Sequence, residues 1–228
     1  MTSTRSRWWR GERAALTTAL VAMVALPAGA TPTVIGFEGL SDLEVVDTQF
    51  LATDGVTFAN AVALQEGDPA GGSLNELEFP ARSGVTVVTG NDVAFGGAGS
   101  LVIEFLQPVT AVSAYFTREA QLMLSVFDSS GNLLGTAMSG PGSNLLLTGS
   151  GNPLELLGFS GLGGIAELVV KSPEVFDSVL NADRLAFYTL DDLSFERLPG
   201  NSVPEPSTLL LVVAGVVGLT RRRGLAAG

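Results

Sequence analysis

The chain has 228 residues, of which 46% are hydrophobic, and it contains 28 glycines and 11 prolines. This length suits one domain with processing segments, and the composition provides a core that is interrupted by many turns. Cysteine and histidine are both absent. Their absence excludes disulfides, zinc–thiolate sites, histidine metal sites and catalysis of the Ser-His-Asp or Cys-His type.

The charge is divided unevenly along the chain. Residues 31–200 hold 5 of the 12 basic residues and 21 of the 23 acidic residues, which gives this segment a net charge of −16. Such a surface repels nucleic acid and anionic lipid, and it attracts divalent cations. We therefore expect no nucleic-acid partner. The same acidity also serves simply to keep a secreted domain soluble.

Residues 1–30 have the pattern of a secretory signal peptide. Four arginines precede an apolar run over residues 14–26, and Ala28-Gly29-Ala30 forms an A-x-A cleavage pattern. We expect a signal helix that is cut after Ala30 by signal peptidase on the general secretion route. The alternative is an uncleaved anchor helix, for which the apolar run is short against the ~20 residues of a membrane span.

The middle of the chain, residues 31–199, reads as an all-β domain. Its short segments rich in Val, Leu and Phe lie between Gly, Pro, Asn and Asp, a pattern typical of strands. We predict strands at residues 33–37, 55–58, 85–89, 101–105, 109–117, 122–128, 133–137, 154–159, 165–171, 185–189 and 192–198. One helical turn fits within residues 42–50. Many short strands at close spacing favour a jelly-roll-like antiparallel β-sandwich.

Three carboxylates form the candidate metal site. Calcium prefers carboxylate and carbonyl oxygens, which an acidic domain without histidine can supply. If the first and last strands pair, Glu38 lies near Asp191 and Asp192. Neighbouring residues of a strand alternate between faces, so only one of the two aspartates can join Glu38. Otherwise Asp192 faces solvent and Asp191 caps a turn.

Three other features bear on binding and catalysis. A carboxylate pair for glycoside hydrolysis is conceivable among 21 acidic residues, but their number alone is weak evidence, so we predict no enzyme. Residues 65–83 form a long connection, a kind of loop that often carries binding function, although a plain surface excursion is the favoured interpretation of this segment. Both tryptophans lie in the signal peptide, which leaves Tyr115, Tyr188 and phenylalanines as the only aromatic residues for sugar stacking.

Residues 200–228 contain three ordered features: Val203-Pro204-Glu205-Pro206, an apolar stretch over residues 209–219, and Arg221-Arg222-Arg223. As a helix the apolar stretch measures about 16 Å, less than the ~30 Å hydrocarbon core. The arginines anchor the end on the cytoplasmic side. Since both basic flanks remain inside, residues 31–199 face outward.

This tail resembles the PEP-CTERM sorting signal of exported proteins in Gram-negative bacteria. The resemblance implies a short transmembrane helix that holds the chain transiently in the inner membrane, recognition by a membrane-embedded exosortase, and cleavage near Pro204-Glu205-Pro206. It also implies placement in the cell envelope, on the outer surface or in an extracellular matrix of exopolysaccharide, as in biofilms. The alternative is an ordinary tail anchor.

A second resemblance concerns the middle domain. The segments Ile35-Gly36-Phe37-Glu38 and Leu190-Asp191-Asp192-Leu193-Ser194-Phe195 resemble the first and last strands of jelly-roll domains that accompany this tail, and those domains look like carbohydrate-binding modules. The leading hypothesis is a non-catalytic binding or structural module of the cell surface or matrix. The alternatives are a secreted, carboxylate-dependent glycan hydrolase and a membrane-tethered adhesive domain that keeps its tail.

Overall fold

The computed structural model describes residues 31–67, 71–91, 99–179 and 181–198. Its elements are thirteen strands and one helical turn: β1 (Thr33–Ile35), β2 (Val45–Val46), α1 (Leu51–Asp54), β3 (Val56–Ala59), β4 (Ala61–Gln65), β5 (Thr86–Gly90), β6 (Leu101–Arg118), β7 (Met123–Phe127), β8 (Leu133–Met138), β9 (Glu155–Phe159), β10 (Ile165–Lys171), β11 (Glu174–Asp177), β12 (Ala182–Leu185) and β13 (Tyr188–Arg197). All pairings between these strands are antiparallel, which confirms the all-β prediction.

The long strand β6 joins two layers of a β-sandwich. Residues 101–105 of β6 pair with β3 and β10, and residues 109–118 pair with β13 and, over 112–116, with β9. The β10 layer therefore runs β3-β6-β10-β7-β8. The β13 layer runs β9-β6-β13-β5-β4-β2, with β1 beside β13.

One hydrophobic core lies between the layers. Alternate residues of the strands point inward, as expected for sheets with one buried face. Its largest fully buried side chains come from β6, β13 and the strands beside them, and include Leu101, Ile103, Phe116, Leu124, Leu168, Leu190 and Phe195. The inward alternation leaves polar residues of the same strands on the two outer faces.

Several predicted boundaries were wrong. Residues 101–105 and 109–117 belong to the single strand β6, because Pro108 lies where the strand changes layer instead of ending it. The predicted strands at 185–189 and 192–198 are largely one strand, β13. The helical turn lies at Leu51–Asp54, after the predicted segment, and ends at Gly55 in the left-handed conformation.

Four strands were not predicted. β4 is buried on both faces and therefore lacks the alternation that marks a half-exposed strand. β2 has two residues, and β11 and β12 form a separate hairpin with mostly exposed side chains. The predicted hairpin of β7 and β8 is confirmed.

The signal and tail helices lie outside the described residues. Among the residues that the structure describes, no helix is long and apolar enough to cross a membrane.

Candidate functional site

The candidate site is a groove on the outer face of the β13 layer. The strand register builds it: Tyr115 of β6 lies opposite Leu156 of β9, and Ser113 of β6 lies opposite Ser194 of β13. Val34 of β1 is the next partner of Ser194. The resulting cavity has a volume of about 320 Å³ and is lined by Val34, Arg82, Ser113, Tyr115, Leu156, Asp192 and Ser194. We refer to these seven residues as the groove.

The connection between β4 and β5 covers the other half of this outer face. A satellite cluster buries its apolar side chains against β4 and β5, with Phe79 edge-on to Phe187 at a ring-centroid distance of 4.9 Å. The cluster consists of Leu64, Leu74, Phe79, Val87 and Leu145. The connection is thus tied down over β4 and β5, it leaves the groove open, and its last part brings Arg82 to the rim.

The groove combines an aromatic ring, free hydroxyls and apolar flanks. The Arg82 guanidinium lies over the Tyr115 ring, 4.1 Å from its centroid. Within the described residues, the hydroxyls of Ser113, Ser194 and Tyr115 have no hydrogen-bond partner. Val34 and Leu156 at the two ends keep 58% and 56% of their surface exposed. This is a mixed surface with unused donors and acceptors.

Asp191 lies beneath the rim of the groove and binds the backbone of the rim residues Arg82 and Ser83. Its carboxylate is 1% exposed, and Oδ2 accepts the backbone N–H groups of Arg82 at 2.7 Å and Ser83 at 3.0 Å. The Oδ1 atom accepts the N–H of Asp192 at 2.7 Å. Burial raises the pKa of Asp191 to about 6, although the three N–H donors act in the opposite direction.

A β-bulge places Asp192 beside Asp191, contrary to the predicted alternation of faces. Asp191 lies opposite Tyr115 and Ser194 lies opposite Ser113, so β13 has one extra residue here. Asp192 has a φ of 48°, and its Oδ1 accepts the Ser83 hydroxyl at 2.7 Å. Its Oδ2 lies 3.7 Å from Nε of Arg82. Both aspartates therefore contact the same short segment.

Glu38 binds the next part of that segment. The strands β1 and β13 pair, with Val34 opposite Ser194, which is the condition on which the calcium hypothesis places Glu38 near the two aspartates. Glu38 Oε1 accepts the N–H groups of Val85 at 3.1 Å and Thr86 at 3.2 Å. We call residues 82–86 the clasp, because Glu38, Asp191 and Asp192 all bind it.

The clasp bears on the calcium hypothesis. Calcium would need the carboxylate oxygens as ligands. In Glu38, Asp191 and Asp192, at least one of these oxygens already accepts a hydrogen bond from an N–H or O–H group of the clasp. No group of three or more Asp or Glu side chains in the described part of the chain is arranged to hold a metal ion. Calcium binding by Glu38, Asp191 and Asp192 stays a prediction.

The outer face of the β10 layer has a different character. Glu104 of β6 lies directly opposite Glu167 of β10, and Thr57 on the far side of Glu104 donates its hydroxyl to Oε2 at 3.2 Å. With Asp128 they line a cavity of about 480 Å³ that contains no basic residue. We call Glu104, Asp128 and Glu167 the acidic face.

Sequence reasoning found part of this arrangement. It singled out Glu38, Asp191 and Asp192 and the connection over residues 65–83, but it missed Arg82, Ser113 and Ser194. The period of two within β6 puts Ser113 and Tyr115 on one outer face. Their partners on β9, β13 and β1 follow only from long-range strand order. The predicted processing residues Ala28, Ala30, Val203, Pro204, Glu205, Pro206 and Arg221 to Arg223 lie outside the described residues.

Comparisons with known proteins give weak structural likenesses and one clear motif. No curated protein matches the chain. TmCBM61, solved in complex with β-1,4-galactotriose, is 11% identical, covers 68% of this chain and 100% of its own, and has a TM-score of 0.37. CBM29-2, a family 29 carbohydrate-binding module, is 12% identical, covers 76% of this chain and 98% of its own, and has a TM-score of 0.32.

The motif lies at the end of the chain. Residues 202–223 match the PEP-CTERM protein-sorting motif, and this segment contains the Pro-Glu-Pro sequence, the apolar stretch and the three arginines. The match confirms the resemblance drawn from the tail residues. The chain therefore carries a PEP-CTERM sorting signal, as an exosortase substrate does, and this signal marks it as an exported protein of a Gram-negative bacterium.

Proposed function

We propose that the chain is a non-catalytic glycan-binding protein of the cell envelope or extracellular matrix, built on a jelly-roll sandwich. The groove carries this proposal. It is an open surface on a rigid sheet, and its lining joins a tyrosine ring to unpaired hydroxyls and exposed apolar side chains. Ligand sites generally combine apolar walls with a few polar groups that fix orientation.

The groove suits a sugar chain chemically. A sugar ring presents apolar C–H faces and hydroxyl edges. Leu156 and the part of the Tyr115 ring that Arg82 does not cover offer contact area, while Ser113 and Ser194 offer hydrogen bonds. Adjacent strands lie about 4.8 Å apart, so the four strands β9, β6, β13 and β1 span roughly 14 Å. That width suits a short stretch of polysaccharide.

The described lining of the groove holds one acidic residue and no carboxylate pair, which supports a binding role. Glycoside hydrolysis ordinarily needs two carboxyl groups on either side of the scissile bond. Asp192 is the only acidic residue that lines the groove, and Asp191 beneath it is buried and bonded to the clasp. For the alternative of a glycan hydrolase, Glu104 and Glu167 lie directly opposite each other on the acidic face of the other layer.

The sorting tail supplies delivery. In the proposed route, the secretion machinery exports the chain, signal peptidase cuts after Ala30, and the tail holds the chain in the inner membrane until an exosortase cuts near Pro204-Glu205-Pro206. The sandwich then works in the envelope or an exopolysaccharide matrix. If the tail is retained, the chain is a tethered adhesive domain. An intact Arg221–Arg223 end in the mass spectrum of the exported protein would favour that alternative.

A glycan array probed with the purified full chain tests the proposal. We expect binding to at least one polysaccharide and no release of reducing ends from it. Tyr115→Ala should weaken the binding by about tenfold or more, and Glu104→Gln on the acidic face should keep it. Release of reducing ends that is lost in Glu104→Gln would establish the hydrolase instead.

A further inference from the structure

We propose that the groove selects uncharged glycans and that Asp192 is the residue that excludes anionic ones. This inference rests on the proposed function, since it names the ligand class of the same groove. The lining contains one cation, Arg82, and one anion, Asp192. Their side chains lie 3.7 Å apart, so the groove has no net charge of its own.

Arg82 would otherwise be well placed to bind a carboxylate. Its guanidinium lies over the Tyr115 ring, with Cζ 4.1 Å from the ring centroid, and its side chain is 46% exposed. A planar, exposed guanidinium commonly binds carboxylate or sulfate through two parallel hydrogen bonds. Asp192 already lies beside this guanidinium as a counter-charge, with Oδ2 3.7 Å from Nε, and the Ser83 hydroxyl donates to its other oxygen.

The surroundings reinforce the exclusion. Asp191 accepts the backbone N–H of Arg82 itself, and Glu38 binds the next part of the clasp. An anionic sugar that reached Arg82 would therefore meet Asp192 at the surface and Asp191 beneath it, where salt screens poorly. Like charges brought together in this way reject a ligand even when its shape fits.

Uncharged sugars do not meet this repulsion from the carboxylates. The hydroxyls of Ser113, Ser194 and Tyr115 are unused within the described residues, and each can donate or accept a bond from a sugar hydroxyl. Because such contacts involve no net charge, we expect the affinity to change less than about twofold between low and high salt.

Asp192→Asn is the discriminating variant. Asparagine is nearly isosteric, accepts the Ser83 hydroxyl as aspartate does, and tolerates the left-handed backbone at this position. The probes are neutral glucans, galactans and mannans and, separately, polygalacturonate and alginate, each titrated into the full chain. We expect wild type to bind a neutral polymer and to show no detectable uronate binding. The affinity of Asp192→Asn for the uronate polymer should be at least about tenfold higher than that of wild type.

The outcomes separate this inference from the proposed function. Wild-type binding to a uronate polymer alone, with an affinity that salt abolishes, would overturn the selectivity and leave the glycan-binding function intact. Failure of Asp192→Asn to gain uronate binding would remove Asp192 as the excluding residue. Absence of binding to every polymer would overturn both proposals. Glu104→Gln, which removes a carboxylate far from the groove, is the matched control and should gain no uronate binding.

Discussion

The two outer faces of the sandwich use the same strand geometry for opposite chemistry. On the β13 layer, the groove pairs Arg82 with Asp192 and surrounds them with hydroxyl and apolar side chains. On the β10 layer, the acidic face sets Glu104 against Glu167 with no basic residue in the cavity lining. Both faces have an open cavity, of about 320 Å³ at the groove and about 480 Å³ at the acidic face.

Under the proposed function the smaller of the two cavities is the binding site, so chemistry and not concavity identifies it. The acidic face has the larger cavity, yet its uncompensated carboxylates favour solvation. The groove has the smaller cavity, and three carboxylates of the chain hold its rim through the clasp. A rim held in place loses less conformational entropy when a ligand binds, which favours affinity.

The largest expected effect on the free energy of unfolding comes from a substitution that breaks the clasp. Gly84 has a φ of 57°, and a Cβ there would lie 2.1 Å from Cδ of Glu38. Gly84→Ala should therefore both strain the backbone and displace Glu38 from Val85 and Thr86, which we expect to lower the free energy of unfolding by about 2–4 kcal/mol. Urea unfolding measures the change.

The matched control lies on the acidic side. Gly131 has a φ of 78°, but nothing lies within 4 Å of its would-be Cβ. Gly131→Ala should cost only the backbone strain, about 1 kcal/mol. Equal losses in the two variants would show that the clasp adds nothing to stability.

The next effect is a pH dependence of opposite sign on the two faces. Burial raises the pKa of Asp191 from 3.8 to about 6, so the folded chain binds this proton more tightly than the unfolded chain. The stability that this protonation contributes is fully present below about pH 4 and is lost as the pH rises through about 6. Relative to Asp191→Asn, wild type should lose about 1–2 kcal/mol across that window.

Asp128 provides the contrast. Hydrogen bonds from Asn132 lower the pKa of Asp128 below 3.8, so its contribution is present above about pH 4 and is lost as the pH falls. Urea unfolding of wild type, Asp191→Asn and Asp128→Asn at several pH values measures both differences. The same direction of change for the two aspartates would contradict their assigned surroundings.

A smaller effect sharpens the description of the acidic face. Like charges directly opposite each other on paired strands are destabilising. Glu167→Gln should raise the free energy of unfolding by about 0.2–1 kcal/mol, since it removes the repulsion from Glu104. High salt should shrink the gain, and glycan binding should not change. A gain that is independent of salt would point to packing instead of charge.

The smallest expected effect concerns calcium. The sequence hypothesis predicts a rise in melting temperature at millimolar calcium, through Glu38, Asp191 and Asp192. Because these carboxylates bind the clasp, the observed geometry predicts a change of less than about 1 °C. Differential scanning calorimetry with calcium, with magnesium as the control, decides between them. A rise of several degrees for calcium alone would restore the calcium site.

The sequence permits a prediction of the all-β class and of the sorting tail, because each depends on local pattern. It does not reveal β4, since a strand buried on both faces has no period of two. The groove depends on which distant strands become neighbours, and the bulge at Asp192 overrides the alternation that the sequence suggests. Long-range register of this kind is set by packing of the whole core.

Calorimetric titration of the full chain with a neutral polysaccharide that it binds, compared between Tyr115→Ala and Glu104→Gln, tests the central claim most directly. Loss of the Tyr115 ring should weaken binding by about tenfold or more, since it removes both the aromatic surface and the support of Arg82. Glu104→Gln should bind as wild type does. If Tyr115→Ala kept wild-type affinity, the groove would not be the binding site.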